Sequence, residues 1–571
     1  MKVLLLSIFL ILGANVYSQD YNRLAPKSLP SKKATSTISE PSLPEKRKVE
    51  NETSPIKIRG IVFLPSQDRI KEEGLVSIRG VNVREIPLLQ SEEFIHQMDK
   101  YAQAEVTLET INQLVRDVVL YYRKKHRPIV DVFVPDQDIT CGVMQVVVLE
   151  GKLGEVSVSK TRWFNPILFS DQISLRSGDV IDTEQLQTDL NWLNRNPFRQ
   201  VEAAFSKGKE VGVTDIELHV QERFPLRFYG GYENTGTRLS GSDRWLAGFN
   251  WGNALWLDHQ FSYQFTTSSD FEKMQAHSGN YVIPLPWRHT ITIFGSYAEL
   301  KPNLPAPFDL MGRNWQIGER YEIPLPKIRE YQHSLTAGFD FKQSNNNLDF
   351  GGANVFNTTV DIYQWSLDYS ANIKDPWGST AAGVTGFYSP GGLDQHNKDE
   401  NFTKARAFAK AEYSYAKFRI ERVTQLPFDF TWMVKGTYQI ADTNLLGSEQ
   451  LGIGGFNTVR GYEEREVNGD LGYLVTNELR TPPISLNLFA GLTQAPDQLQ
   501  FLAFWDYGTV KNNTLLSGEP AHKQLSSIGS GIRYTINPYI SFYCDYGWQL
   551  MDSGLNEPYN SRGHMGLLIS Y

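Results

Sequence analysis

The stretch Gly452-Ile453-Gly454-Gly455-Phe456-Asn457-Thr458-Val459-Arg460-Gly461-Tyr462 holds the residue types with the most specific chemical potential in this sequence. Clustered glycines let backbone approach a wall closely. An arginine carried among them would be pressed against that wall and lose its water. A desolvated guanidinium needs a carboxylate, to which its planar fork can donate two parallel hydrogen bonds. Two acids stand downstream in aromatic and glycine-containing surroundings. Asp506 in Phe504-Trp505-Asp506-Tyr507-Gly508 shares a strand face with Phe504 and Gly508, and Asp545 in Cys544-Asp545-Tyr546-Gly547 is the competing partner. The other reading of Arg460 is an exposed loop charge, worth ~0 to 1 kcal/mol as a surface pair.

Catalytic chemistry has no comparable foothold. H-E-x-x-H, G-x-S-x-G and G-x-x-x-x-G-K-[ST] patterns are missing, and the ten histidines are scattered. Cys141 and Cys544 lie too far apart in sequence to suggest a Cys-rich zinc site or a disulfide framework. The chain is therefore read as no enzyme, with no cofactor and no metal. A net charge of -8 gives no basic excess to neutralise a phosphate backbone, so nucleic acid is not an expected partner.

The elements that would position Arg460 follow from periodicity. After residue 20 the sequence contains no apolar run of the ~18 residues that a membrane-spanning helix needs. From residue 225 to 571 side chains alternate instead: Phe261, Tyr263 and Phe265 against Gln260, Ser262 and Gln264, and Met565, Leu567, Ile569 and Tyr571 against Gly566 and Ser570. Strands of ~10 residues that alternate in this way, in a chain rich in aromatics, build outer-membrane barrels. A soluble sandwich also alternates, but needs a second sheet over each apolar face. Prolines near 286, 326, 376, 427, 482 and 538 read as short turns on one rim, since proline cannot donate to a ladder. They imply sixteen antiparallel strands, with a long loop over 442–470 tucked into the bore.

Upstream, two α+β repeats are expected over 56–152 and 153–224. Thr107 caps a helix to Lys124 with an apolar stripe at Ile111, Leu114, Val115, Val118, Val119 and Tyr122, and Asp182 caps a second carrying Leu186, Leu190 and Leu193. Residues 19–55 are rich in Pro, Ser, Lys and Glu and read as a linker. Residues 1–18 have the charge, apolar core and small residues of an export signal.

In these residues the chain resembles the two-partner-secretion transporters (TpsB, the ShlB/FhaC/HecB haemolysin secretion/activation proteins). Val459-Arg460-Gly461-Tyr462 matches the tetrad of that family's sixth loop, Asp506-Tyr507-Gly508 its Asp-x-Gly strand motif, and the two repeats its paired POTRA domains. Asn194-Arg195-Asn196-Pro197-Phe198 and Tyr232-Glu233-Asn234-Thr235-Gly236 resemble further signatures. The resemblance implies an outer-membrane pore of a Gram-negative-type bacterium, embedded in lipid as a monomer, that exports a large unfolded exoprotein without nucleotide hydrolysis. Arg460 would pair with Asp506 and fix the loop, with Val459, Gly461 and Tyr462 as its setting. The POTRA domains, in the periplasm, would add a segment of the exoprotein to a sheet edge around Val130, Val132 and Val134. Tyr571 would close the signal read by the barrel-assembly machinery. Members often begin with a helix that plugs the pore, and the residues after Gln19 carry no convincing helical stripe. Two other functions fit parts of the pattern: an assembly factor of the BamA/TamA type, which usually carries three or more repeats, and a diffusion porin, which needs none.

Overall fold

A computed structural model describes residues 21–29, 38, 56–238, 240–302, 308–350, 353–489, 497–554 and 559–571. The expected export signal, 1–18, lies outside them. The chain divides into two compact units, Ser31–Phe224 and Met1–Pro30 with Pro225–Tyr571.

The first unit holds two α+β modules. In the first, a four-stranded sheet runs β2-β1-β4-β3, with β1 at Gly60–Leu64, β2 at Gly80–Val83, β3 at Val130–Phe133 and β4 at Val143–Glu150. β1 is parallel to both of its neighbours and buried along its whole length, so it shows no apolar alternation. Helix Leu108–Lys124 starts where the Thr107 side chain accepts the Thr110 N–H, and its buried Leu114, Val118, Tyr121 and Tyr122 pack with Phe63, Phe94, Met144 and Val146. In the second module, β5 (Lys152–Val158), β7 (Val213–Glu222) and β6 (Arg199–Lys207) form the sheet. Its helix Thr183–Leu193, capped by Asp182, buries Leu186, Leu190 and Leu193.

The second unit is a closed antiparallel barrel of sixteen strands. It begins with β8 (Leu226–Glu233), β9 (Arg244–Ala254), β10 (His259–Thr267), β11 (Met274–Pro284) and β12 (Thr290–Leu300). It continues through β13 (Phe308–Pro324), β14 (Tyr331–Phe350), β15 (Ala353–Asp375), β16 (Gly378–Pro390), β17 (Glu412–Gln425) and β18 (Thr431–Ala441). After a small hairpin, β19 (Leu451–Ile453) with β20 (Val467–Gly469), come β21 (Leu471–Arg480), β22 (Asp497–Lys511), β23 (Lys523–Ile536), β24 (Ile540–Gln549) and β25 (Ser561–Ser570). β25 pairs back onto β8 from Gly566↔Glu233 to Ser570↔Tyr229, which closes the ladder around its circumference. Tyr571 extends that seam by donating its N–H to the Phe228 carbonyl at 2.9 Å, while its side chain is exposed.

Burial inside the barrel is inverted relative to a water-soluble protein. Gln264 is 2% exposed and Asp506 is fully buried, whereas Ile569 is 54% and Trp365 56% exposed. Polar groups face a bore and apolar ones face outward, as hydrocarbon surroundings demand. Prolines 286, 326, 376, 427 and 538 all fall between strands on one rim. Pro482 departs from the expected short turn, because the connection from Arg480 to Asp497 is long enough to contain a helical turn, Leu486–Phe489.

The expected linker 19–55 also needs correction. Helix α1 (Tyr21–Leu24) and the residues to Leu29 belong to the barrel unit. Tyr21 packs on Phe294 with ring centroids 4.5 Å apart, Gln264 donates to the Leu24 carbonyl at 3.3 Å, and Lys27 pairs with Glu233 at 2.6 Å. A single helical turn carries no periodicity, and its partners lie some two hundred residues away or more, so the sequence held no local sign of it. Within the other unit Ile38 bridges Ala203 of β6.

Leu186→Ala should open a cavity in the second module and cost ~2 to 5 kcal/mol. The expected result is a lower thermal midpoint for that unit in the detergent-solubilised chain, with the heat-modifiable gel mobility of the barrel unchanged.

Candidate functional site: a loop fastened inside the barrel

The loop joining β18 to β21 spans 442–470 and is fastened through each residue of Val459-Arg460-Gly461-Tyr462. Val459 is buried with Ile453, Leu474, Val510 and Leu525, an apolar patch on an otherwise polar wall. The Tyr462 hydroxyl lies 2.6 Å from the Met551 carbonyl and 2.9 Å from that of Ser526. The Gly461 peptide is held at both ends. Its N–H donates to His564 Nε2 at 2.9 Å, and its carbonyl accepts from Gln549 Nε2 at 2.7 Å. Only glycine fits there, because φ is +90° and a Cβ would lie 2.9 Å from the Gly547 carbonyl oxygen.

Arg460 is 1% exposed and meets three acids. Its Nε donates to Asp506 Oδ2 at 2.7 Å and its Nη2 to Oδ1 at 2.9 Å, the bidentate arrangement, while its backbone N–H reaches Oδ2 at 3.1 Å. Nη1 donates to Glu478 Oε1 at 2.7 Å and to Asp545 Oδ2 at 3.1 Å. The guanidinium carbon sits 3.6 Å from the centroid of the Phe504 ring. Two further arginines complete the balance. Arg480 Nη2 donates to Glu478 at 2.6 Å, and Arg533 Nη2 donates to Asp545 at 2.8 Å. Burial works against the Arg460 charge, but Asp506, followed by Glu478 and Asp545, outweighs it and raises the pKa. The guanidinium is permanently charged.

The structure thus brings Arg460 and Asp506 together and makes Asp545 a further acceptor rather than a rival. Sequence reasoning missed Glu478, Arg480, Arg533, His564 and Gln549. Alternation offered a signal for the first two, since Thr476, Glu478 and Arg480 share one face of β21 and two adjacent charges on one face need a polar surround. His564 and Gln549 had none, because their hydrogen bonds to the loop go to its backbone.

Val130, Val132 and Val134 are placed differently. Among the described residues β3 is an edge strand, pairing only β4, but the Val132 side chain is buried and Val130 and Val134 pack against the module core. Val132 is a core residue and Val130 and Val134 are half-buried against that core, while the Asp131 side chain and the backbone edge of β3 face outward. The segment containing α1 lines a cavity of about 590 Å³ in the bore together with Glu233, Arg244, Lys342 and Arg465. Arg23 on α1 lies 3.5 Å from Glu464 of the long loop.

Comparison with known proteins agrees with this architecture. The model for the haemolysin secretion/activation protein ShlB/FhaC/HecB matches residues 212–534, and that for the ShlB-type POTRA domain matches 76–151. The heme/hemopexin transporter protein HuxB of Haemophilus influenzae (strain 86-028NP) is 21% identical over 466 residues, covering 78% of each chain. The outer membrane transporter CdiB of Dickeya dadantii (strain 3937) is 22% identical over 422 residues, covering 71% of each. The solved structure of CdiB from Escherichia coli superposes with a TM-score of 0.70 at 15% identity over 93% of both chains. BamA from Haemophilus ducreyi lacking POTRA domains 1-3 reaches 0.50 at 12% identity, over 81% of this chain and 94% of that one. The barrel is an outer-membrane barrel and the modules before it are periplasmic POTRA domains. With more than half of its length matched, this chain belongs to the ShlB/FhaC/HecB family of haemolysin secretion/activation proteins.

Proposed function

We propose that this chain is the outer-membrane pore through which a large, unfolded exoprotein passes from the periplasm to the cell surface, its POTRA domains capturing the exoprotein beforehand. The observation that carries this reading is the buried Arg460 cluster. It holds the loop over 442–470 within a bore that also contains the segment 21–29. A diffusion porin gains nothing from an obstructed bore or from two soluble modules. An assembly factor for other barrels is the second reading, favoured by the weaker likeness to BamA; the two-module count and the stronger likeness to CdiB favour export. Capture fits the open edge of β3, where an extended segment could add main-chain hydrogen bonds. The chain works as a monomer, inserted by the barrel-assembly machinery through its last strand and Tyr571, and performs no catalysis.

The role of Arg460 is to fix the loop. Its removal would strand Asp506 and leave Glu478 and Asp545 short of a donor, a loss of ~3 to 5 kcal/mol for a buried ionic group. Arg460→Ala should therefore lower surface delivery of the exoprotein severalfold in a secretion assay, with wild-type amounts of folded barrel in the membrane. Unchanged delivery would remove the role. Arg460→Lys should rescue only in part, since a lysine keeps the charge but loses the bidentate fork. The reversed pair Arg460→Glu with Asp506→Arg should fail to rescue. The carboxylate placed on the loop would then face Glu478 and Asp545, and recovery of secretion would show that the Asp506 pair acts alone.

Deletion of the POTRA domains should abolish secretion while single-channel conductance in planar bilayers persists. Secretion without them would contradict capture.

A further inference from the structure

The Arg460 cluster holds the inner part of the loop against β21 to β25. Earlier in the same loop, Glu449 is 1% exposed and turned to the other side of the loop root. Its carboxylate accepts from Lys342 Nζ of β14 at 2.9 and 3.1 Å, from Gln364 Nε2 of β15 at 3.0 Å and from the Tyr415 hydroxyl of β17 at 2.8 Å. Gln439 of β18 donates to the Glu449 backbone carbonyl at 3.1 Å. Strands β14, β15, β17 and β18 therefore all receive one loop residue. Burial raises the Glu449 pKa, but Lys342 and the Tyr415 hydroxyl more than offset this and hold it at about 2, so the group is ionised at neutral pH.

The two attachments differ in access. Around Arg460 the guanidinium and all three carboxylates are buried, and an aromatic face covers the cation. Around Glu449 the cation is a lysine whose side chain is 19% exposed and lines the cavity shared with residues 22–28. A buried ion pair adds little net stability compared with an apolar contact of the same shape, and its best-attested use is to set register or to switch. One that can be reached from the bore can also be released from the bore.

We propose that Glu449 and Lys342 are positioning residues for export, forming the releasable latch of the loop, with the Arg460 cluster as its fixed hinge. The proposal rests on the bore being the export route. Chain that enters the cavity and displaces residues 22–28 meets Lys342 in its lining, beside Arg406, whose guanidinium holds Asp470 at the end of the loop at 2.7 Å. Release of the Glu449 carboxylate detaches the loop from β14, β15 and β17, while Arg460 stays docked on β21, β22 and β24 and Asp470 stays paired with Arg406, so the loop can swing back without losing its place.

The full chain in planar bilayers tests this without any exoprotein. Glu449→Gln and Lys342→Met should each raise the occupancy of the high-conductance state at least about tenfold, the scale of one charged hydrogen bond, and Lys342→Arg should return it to wild type. A general loosening of the barrel would not be repaired by a differently shaped cation. In cells, a protein with Cys141 and Cys544 replaced by serine and cysteines at 449 and 342 should stop exporting when a short bifunctional thiol reagent joins them, and resume when a cleavable linker is reduced. Wild-type conductance in both neutral variants, or export through the joined form, would overturn the latch. If conductance responds but even the wild type secretes nothing, the export reading fails and the latch stands.

Discussion

A guanidinium removed from water must find its counter-charge within hydrogen-bond reach, and the rest of this barrel is arranged around that requirement at Arg460. The wall answers with Asp506, Glu478 and Asp545, and adds Arg480 and Arg533, so three cations face three anions. Each acid is thereby shared or bidentate, and each of these charges has an opposite beside it. The loop that carries Arg460 has little freedom of path as a result. Gly461 must pass Gly547 at backbone distance, Tyr462 must reach two carbonyls, and Val459 must enter the apolar patch beside it.

The same accounting, applied to the main chain, explains the barrel. In hydrocarbon every backbone N–H and C=O needs a partner, and a sheet achieves that only by closing. Closure turns each strand into a boundary between lipid and an aqueous bore, which is why Trp365 and Ile569 are exposed while Gln264 and Asp506 are buried. The POTRA modules, which meet water, follow the opposite rule: Leu114, Val118 and Leu186 are buried there against sheets whose polar residues face out. One chain thus uses two solvents, and residue burial reports which solvent each part meets.

Functionally, the loop has attachments on both sides of its root. Those to β21, β22 and β24 are sealed, while the one to β14 touches the bore through Lys342. The proposed latch rests on that difference in access.

Much of this was legible in the linear pattern. Period-two alternation, the proline rhythm and the capped stripes at Thr107 and Asp182 are local consequences of strand and helix geometry, and they carry the barrel, its strand count and the α+β modules. Arg460 and Asp506 were legible because glycines and a charged strand face stand out against an apolar background. What lay out of sight involved partners distant in sequence and ordinary in type: α1 against β11 and β12, His564 and Gln549 on the Gly461 peptide, Glu449 on Lys342, and the inward turn of Val130, Val132 and Val134. The sequence determined which faces each strand must show, because side-chain direction is set by the residue's own backbone. Only the closed cylinder decided which polar groups meet across the bore, because that depends on strand register and curvature, to which every strand contributes and none specifies alone.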